Sequence, residues 1–309
     1  MFSRVLVPLD GSSLAEQVLP YVKILSKGLG GQVELLRVIE PSPSASLMDP
    51  AQETCWQRVP SGVDQDAEKY LTGVTSSLTG AGIQVSATVD HGDPASRIMA
   101  TAEAPPGTLI AMSTHGKSGI TRWALGSVAN KVLHSTSNPL LMVRCCKDIV
   151  HPEIRLSAVI APLDGSTLAQ RILPHVARLA NVMKIKADLV SVIPSVGQAP
   201  CRFEVLPASG DGPGWEVREQ AKTYLDQAAE QLRRDGVSLV EGHVLQGHPA
   251  VAIIDYARSI PNSIVAMASH GRSGIGRWPL GSITDLVARN SEVPVLVVHT
   301  SEPASSKEK

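Results

Sequence analysis

The chain repeats itself once, and no other feature constrains its fold as much. Val5-Leu6-Val7-Pro8-Leu9-Asp10-Gly11-Ser12 returns as Val159-Ile160-Ala161-Pro162-Leu163-Asp164-Gly165-Ser166. A second stretch, running from His115-Gly116 to Gly126-Ser127, returns from His270-Gly271 to Gly281-Ser282. The offset is 154 residues in the first case and 155 in the second. One nearly constant offset of that size denotes duplication of a whole domain, because solenoid units recur every 20–50 residues or so. At 309 residues the chain holds two domains of ordinary size, each able to bury a core. The expected domains are 1–147 and 153–300. A polar seam at Lys147–Glu153 separates them, and 301–309 form a polar tail expected to be disordered.

Within each half, strand-like and helix-like patterns alternate. In the first half, strands are expected at Arg4–Pro8, Val33–Ile39, Ile83–Val89, Leu109–Ser113 and Leu140–Val143. Ser13-Leu14-Ala15-Glu16 has capping-box spacing and should open one helix carrying Leu14, Val18, Tyr21, Val22 and Leu25, closed by Gly28–Gly31. Thr167-Leu168-Ala169-Gln170 should do the same in the second half. Further helices are expected at Asp64–Leu78, from Pro94 to about Glu103, and at Ser127–His134. Pro41 to about Gly62 reads as a long loop rich in Pro and Ser.

This alternation implies two tandem doubly wound α/β domains. Each is a five-stranded parallel sheet with helices on both faces, Rossmann-like in architecture. Aromatic residues are scarce, with four Trp, four Tyr and two Phe, so the cores must be aliphatic, as suits buried parallel strands. The formal net charge of −1 and the lack of a basic block argue against nucleic acid as the main partner. Cys55, Cys145, Cys146 and Cys201 lack metal-site spacing and read as reduced thiols. The N-terminal apolar run is too short for a signal peptide and no run spans a bilayer, so a cytoplasmic protein is expected.

Doubly wound sheets bind ligands beyond the carboxyl ends of their strands, where the strand order reverses. Both repeated motifs fall there. In Pro8-Leu9-Asp10-Gly11-Ser12, proline ends the strand and Asp10 can accept from a ribose hydroxyl or base amine, or hold a metal ion. Asp-Gly is also a common turn pair, so a purely local role stays open. In the second motif a strand runs into Gly116, and nine residues later Gly126-Ser127 opens a helix. The glycines let backbone approach a ligand, and the first amides of the helix suit a phosphate. Ser127 adds a hydroxyl, and Lys117 or Arg272 adds charge. Here too, plain strand termination and helix capping stay open.

These motifs resemble those of the universal stress protein family over nearly the full chain. The ATP-binding branch of that family carries Gly-2x-Gly-9x-Gly-Ser/Thr after the fourth strand. Gly116, Gly126 and Ser127 match its last three fixed positions, as do Gly271, Gly281 and Ser282. Ser113 and Ala268 stand in place of the first glycine. The resemblance implies that Asp10 and Asp164 are the family's acidic residue, and that Val38 and Val192 lie on the adenine side. It further implies ATP or ADP as ligand, with Mg²⁺ as an optional companion, weak or no hydrolysis, and domain pairing through the fifth strand.

With their neighbours, the candidate contacts in the first half are Pro8, Leu9, Asp10, Val38, Met112, Ser113, His115, Gly116, Lys117, Gly126, Ser127 and Val128. In the second half they are Pro162, Leu163, Asp164, Val192, Met267, Ala268, His270, Gly271, Arg272, Gly281, Ser282 and Ile283. The expected role is a nucleotide-dependent regulatory module in stress response, with a slow ATP hydrolase or phosphotransferase as the alternative. No P-loop, dinucleotide fingerprint or nucleophile elbow is present. No catalytic residue is assigned. No metal site is expected either, His243 and His248 having no evident ligand partner. Trp123 and Trp278 read as packing under the loop. The halves should pack as a pseudo-dimer through Leu140–Val143 and Pro294–Val298, with a homodimer as a further option and the protein partner unknown. The first site should bind more tightly. It has Ser113 where the second has Ala268, Lys131 where the second has Leu286, and Asn130 where the second has Asp285.

Overall fold

The computed structural model describes residues 2–41, 62–115, 125–145, 154–193, 214–270 and 280–300. Two compact units emerge: 1–138 with 145–152, and 139–144 with 153–309. Residues 139–144 count with the second unit by their contacts.

The first unit contains β1 (Arg4–Pro8), α1 (Ser13–Glu16), α2 (Leu19–Leu29), β2 (Gln32–Ile39), α3 (Gly62–Thr79), β3 (Val85–His91), α4 (Pro94–Glu103), β4 (Thr108–Ser113) and α5 (Ser127–Ser135). Its strands lie in the order β3-β2-β1-β4. The β1–β2, β2–β3 and β1–β4 ladders are all parallel. β4 is buried at all six positions, and β1 at Val5, Leu6 and Val7. An aliphatic run covered on both faces is what a central parallel strand requires. β3, at the sheet edge, exposes Ser86, Ala87 and Thr88.

The expected single first helix is two. Pro20 lacks an N–H and its ring collides with the carbonyl four residues back, so α1 ends at Glu16 and α2 begins at Leu19. The cap is Ser12 rather than Ser13: its Oγ accepts from the Ala15 N–H at 3.1 Å. Gly28 lies inside α2, which ends at Gly30 in a left-handed conformation (φ 71°). β3 starts two residues later than expected, because the Ile83 N–H closes the end of α3 onto Leu78 O.

The second unit contains β5 (Leu140–Val143), β6 (Ala158–Pro162), α6 (Thr167–Gln170), α7 (Leu173–Met183), β7 (Lys186–Ile193), α8 (Gly214–Arg234), β8 (Val240–Gln246), α9 (Pro249–Ser259), β9 (Ser263–His270), α10 (Ser282–Asn290) and β10 (Val295–Thr300). Its order is β5-β10-β9-β6-β7-β8. All ladders are parallel except β5–β10, which is antiparallel with Leu141 opposite Leu296. That pairing, with all four β5 residues buried, carries 139–144 into this unit. Pro174 splits α6 from α7 as Pro20 does in the first unit, and Ser166, not Thr167, is the cap.

Candidate functional site

In the first unit the chain steps from β1 outward to β2 and β3, then returns to place β4 on the other side of β1. The carboxyl ends of β1 and β4 therefore flank the point where the strand order reverses, the place where such sheets form a crevice. A cavity of about 440 Å³ lies there. It is lined by Pro8, Leu9, Asp10, Val38, Met112, Ser113, His115, Gly126, Ser127 and Val128, ten of the twelve expected residues. The other two, Gly116 and Lys117, lie outside the described residues. So do Gly271, Arg272, Trp123, Trp278, Cys55, Cys146, Cys201, the long loop at 42–61, the Lys147–Glu153 seam and the tail.

Asp10 serves its own turn as well as lining the cavity. Its Oδ1 accepts from the Ser12 N–H at 2.9 Å and the Ser12 hydroxyl at 2.5 Å. Gly11 between them has φ +79°, a conformation that glycine adopts without strain. Asp164, Gly165 and Ser166 repeat this arrangement at 3.0 and 2.5 Å. Behind each aspartate stands a tyrosine. Burial first, then the Glu16 and Asp10 carboxylates, push the Tyr70 phenol well above its ordinary pKa. Burial chiefly, with the charge of Asp164, raises Tyr224.

The phosphate-side geometry is built by Gly126. It caps α5 without any side-chain bond, and its N–H donates to Thr114 O at 2.9 Å, drawing the helix start against the end of β4. Ser127 is thus the first helical residue, not the cap. Asn130 is the first whose N–H reaches back to a helix carbonyl, that of Gly126. The amides of Ser127, Val128 and Ala129 have no intrahelical acceptor and carry the positive end of the helix dipole at the cavity wall. The loop opposite is tied internally. The Ser113 hydroxyl donates to His115 O at 2.7 Å, Thr114 Oγ1 lies 3.1 Å from His115 Nδ1, and the buried Cys145 donates its N–H to Thr114 Oγ1.

α10 is the counterpart in the second unit. Gly281 caps it, Asp285 N–H is the first to reach Gly281 O, and the amides of Ser282, Ile283 and Thr284 have no intrahelical acceptor. Pro162 ends β6 and Leu163 follows it, Val192 is the penultimate residue of β7, and Met267, Ala268 and His270 lie at the end of β9.

The charge difference expected between the copies is compensated locally. Lys131 Nζ pairs with Asp93 Oδ2 at 2.8 Å, and Asp285 is gripped by Arg289 Nε at 2.7 and 2.8 Å. Neither stands as a bare charge, and the Ser113 hydroxyl bonds its own loop. The cavity also recruits residues outside the motifs: Ala15, Leu36, Arg37, Ile39, Glu40, Pro94, Ile98, Thr114 and Ala129. Arg37 donates to Leu9 O at 3.3 Å, setting a guanidinium beside the crevice. Its signal was present as the residue before Val38. That Pro94 opens a helix beyond the end of β3 likewise pointed to the same rim.

No described helix is long and apolar enough to cross a membrane. The universal stress protein family model matches residues 1–144 and again 157–299. A universal stress protein of Synechocystis sp. is 26% identical over 95% of this chain and 98% of its own length. Another, from Methanocaldococcus jannaschii, is 28% identical over 47% of this chain and 83% of its own. The crystal structure of a universal stress protein from Archaeoglobus fulgidus has the same fold, with a TM-score of 0.71 and 24% identity over 96% of this chain and 98% of that one. With both halves matched in turn, this chain belongs to the universal stress protein family as a tandem member.

Proposed function

We propose that the protein binds ATP or ADP in the crevice of its first unit, and at the equivalent position of its second, and acts as a nucleotide-dependent regulatory module in stress response. The observation that carries this reading is the start of α5: three amides without intrahelical acceptors line a cavity of about 440 Å³ at the switch point of the sheet. Such a volume suits a small ligand, and such a helix terminus suits its phosphates. Pro8, Leu9, Val38 and Met112 offer an apolar wall for a base, Asp10 a carboxylate for a ribose hydroxyl, and Arg37 a cation. Mg²⁺ would travel with the phosphates. In the second unit the same roles fall to Pro162, Leu163, Asp164, Val192, Met267 and the α10 amides.

Hydrolysis should be slower than about one turnover per minute, below the usual enzyme range. Of the carboxylates lining the cavity among the described residues, Asp10 has one oxygen engaged by Ser12, and Glu40 sits exposed on the rim. We expect Asp10 to face the nucleoside end or a metal ion rather than to serve as the base for a water attacking the terminal phosphate. The deciding experiment is to denature the purified chain and look by chromatography for released ATP or ADP. Calorimetry with millimolar ATP and Mg²⁺ should then give a Kd of about 1 mM or tighter, equivalent to about −4 kcal/mol. No released nucleotide together with no heat sinks the reading.

A further inference from the structure

The second unit carries a cluster that the crevice does not use. Asp188 is the third residue of β7, four residues and about 13 Å of extended strand before Val192. It stands opposite Glu241 in the parallel β7–β8 ladder, and His243 follows two residues along β8 on the same face. One oxygen from each acid and one imidazole nitrogen lie within 4.8 Å of one another. Asp188 is fully buried, His243 half-buried and Glu241 exposed, so the cluster is open to solvent on the Glu241 side.

The two oxygens of Asp188 have different surroundings. Oδ2 accepts from Lys186 Nζ at 2.9 Å and from the Tyr256 hydroxyl at 3.3 Å. Oδ1 is buried with no hydrogen-bond partner among the described residues, and so is His243 Nε2, 3.9 Å away. That gap is too long for a hydrogen bond. Leaving a buried carboxylate oxygen without a donor is costly. Two carboxylates also face one ammonium, which leaves one negative charge over.

We propose that Asp188, Glu241 and His243 bind a divalent cation of the zinc class, with Asp188 presenting Oδ1. Bonds of about 2.0–2.1 Å in a tetrahedral site put ligand atoms about 3.3 Å apart. His243 Nε2 is already 3.5 Å from Glu241 Oε2, and the gap to Asp188 Oδ1 must close by about half an ångström, relative to the tetrahedral value. One imidazole with two carboxylates suits zinc and its neighbours better than calcium or magnesium, which take all-oxygen shells. Lys186 and Tyr256 then act as the outer donors that orient a ligating carboxylate. His243 packs against the Tyr256 ring at 5.1 Å, which fixes the imidazole plane.

The first copy supplies an internal control. The equivalent positions are Glu34, Ser86 and Thr88, and Arg4 pairs with Glu34. One site per chain is therefore expected, not two. The full chain, stripped with a chelator, is titrated with Zn²⁺ by calorimetry and with Co²⁺ by visible absorption. The expected result is one equivalent at a Kd of about 1 µM or tighter, with the thermal midpoint raised by zinc. His243→Gln and Glu241→Gln, at positions open enough to leave the fold intact by circular dichroism, should each weaken binding by about tenfold or more. No uptake by the wild type at about 100 µM zinc, an affinity of about −5.5 kcal/mol, overturns the proposal. So does uptake that survives both substitutions, which would put the ion elsewhere. None of these readouts involves nucleotide.

Discussion

Alanine at Gly126 probes the contact that sets the start of α5. Gly126 has φ −56° and ψ 148°, which alanine adopts freely, so the cost is steric rather than conformational. A Cβ there would lie 3.1 Å from Thr114 O and 3.6 Å from His115 Cα. The same carbonyl oxygen accepts the Gly126 N–H at 2.9 Å. The helix must therefore back away from β4 by a few tenths of an ångström and stretch the bond that holds it. Overpacking of this kind costs about 1–3 kcal/mol. The reduced freedom of the unfolded chain offsets about 0.4–1 kcal/mol. A net loss of about 1–2 kcal/mol lowers the thermal midpoint by about 2–8 °C, at about 2–4 °C per kcal/mol. Gly281→Ala is the matched control, since its Cβ would meet only Thr284 Oγ1 at 3.8 Å among the described residues. That variant should melt with the wild type or slightly above it. Displacing the α5 amides should also weaken ATP at the first site by about tenfold, or 1.4 kcal/mol. Circular dichroism melts and calorimetry on both variants decide the matter. If Gly126→Ala melts at or above the wild type while Gly281→Ala melts lower, the reasoning fails.

Three further outcomes are expected. Lys184 ends α7 in a left-handed conformation (φ 53°, ψ 46°) where the first copy has Gly30, so Lys184→Gly should stabilise the protein by about 1 kcal/mol and Gly30→Ala should cost a similar amount in thermal melts. The Lys131 ammonium, and after it Ser96, hold the Asp93 carboxyl at about 2, so its contribution is present above the ordinary carboxylate range and is lost as pH falls through about 2. Asp93→Asn keeps the α4 cap and removes an exposed ion pair worth about 0–1 kcal/mol, so near pH 7 the melt should barely move. Because Asp93 and Lys131 share a rim with Ser127 and Val128, ATP should bind a few-fold tighter to this variant by calorimetry, and unchanged or weaker binding counts against it. Burial holds His175 below its ordinary pKa, so the unfolded chain binds more protons just under about pH 6.5. Stability should therefore fall as pH drops through that window, and a denaturant series on His175→Gln should show a flatter pH dependence than the wild type.

The sequence by itself determined what is local or periodic. The two copies of Asp-Gly-Ser and of the Gly-Ser helix start reveal the duplication and mark both turns. The aliphatic runs identify Arg4–Pro8, Leu140–Val143 and most of β4, because a strand buried on both faces must be apolar throughout. Pro20 and Pro174 also carried the helix breaks in plain view, as residues that cannot continue a helix. What only the tertiary structure decided is which charges and strands meet. Lys131 looked like a free cation until the packing of α5 beside the start of α4 brought it to Asp93, 38 residues away. His243 looked partnerless until parallel pairing set Asp188 opposite Glu241. Ser12 outcompetes Ser13 as the cap because Asp10 already holds its amide and hydroxyl. β5 counts with the second unit because β10 supplies its ladder. Periodicity along a chain records which face each residue turns inward. The partners of a charge or a strand edge depend on segments tens to hundreds of residues away, and these become neighbours only when the sheet is assembled.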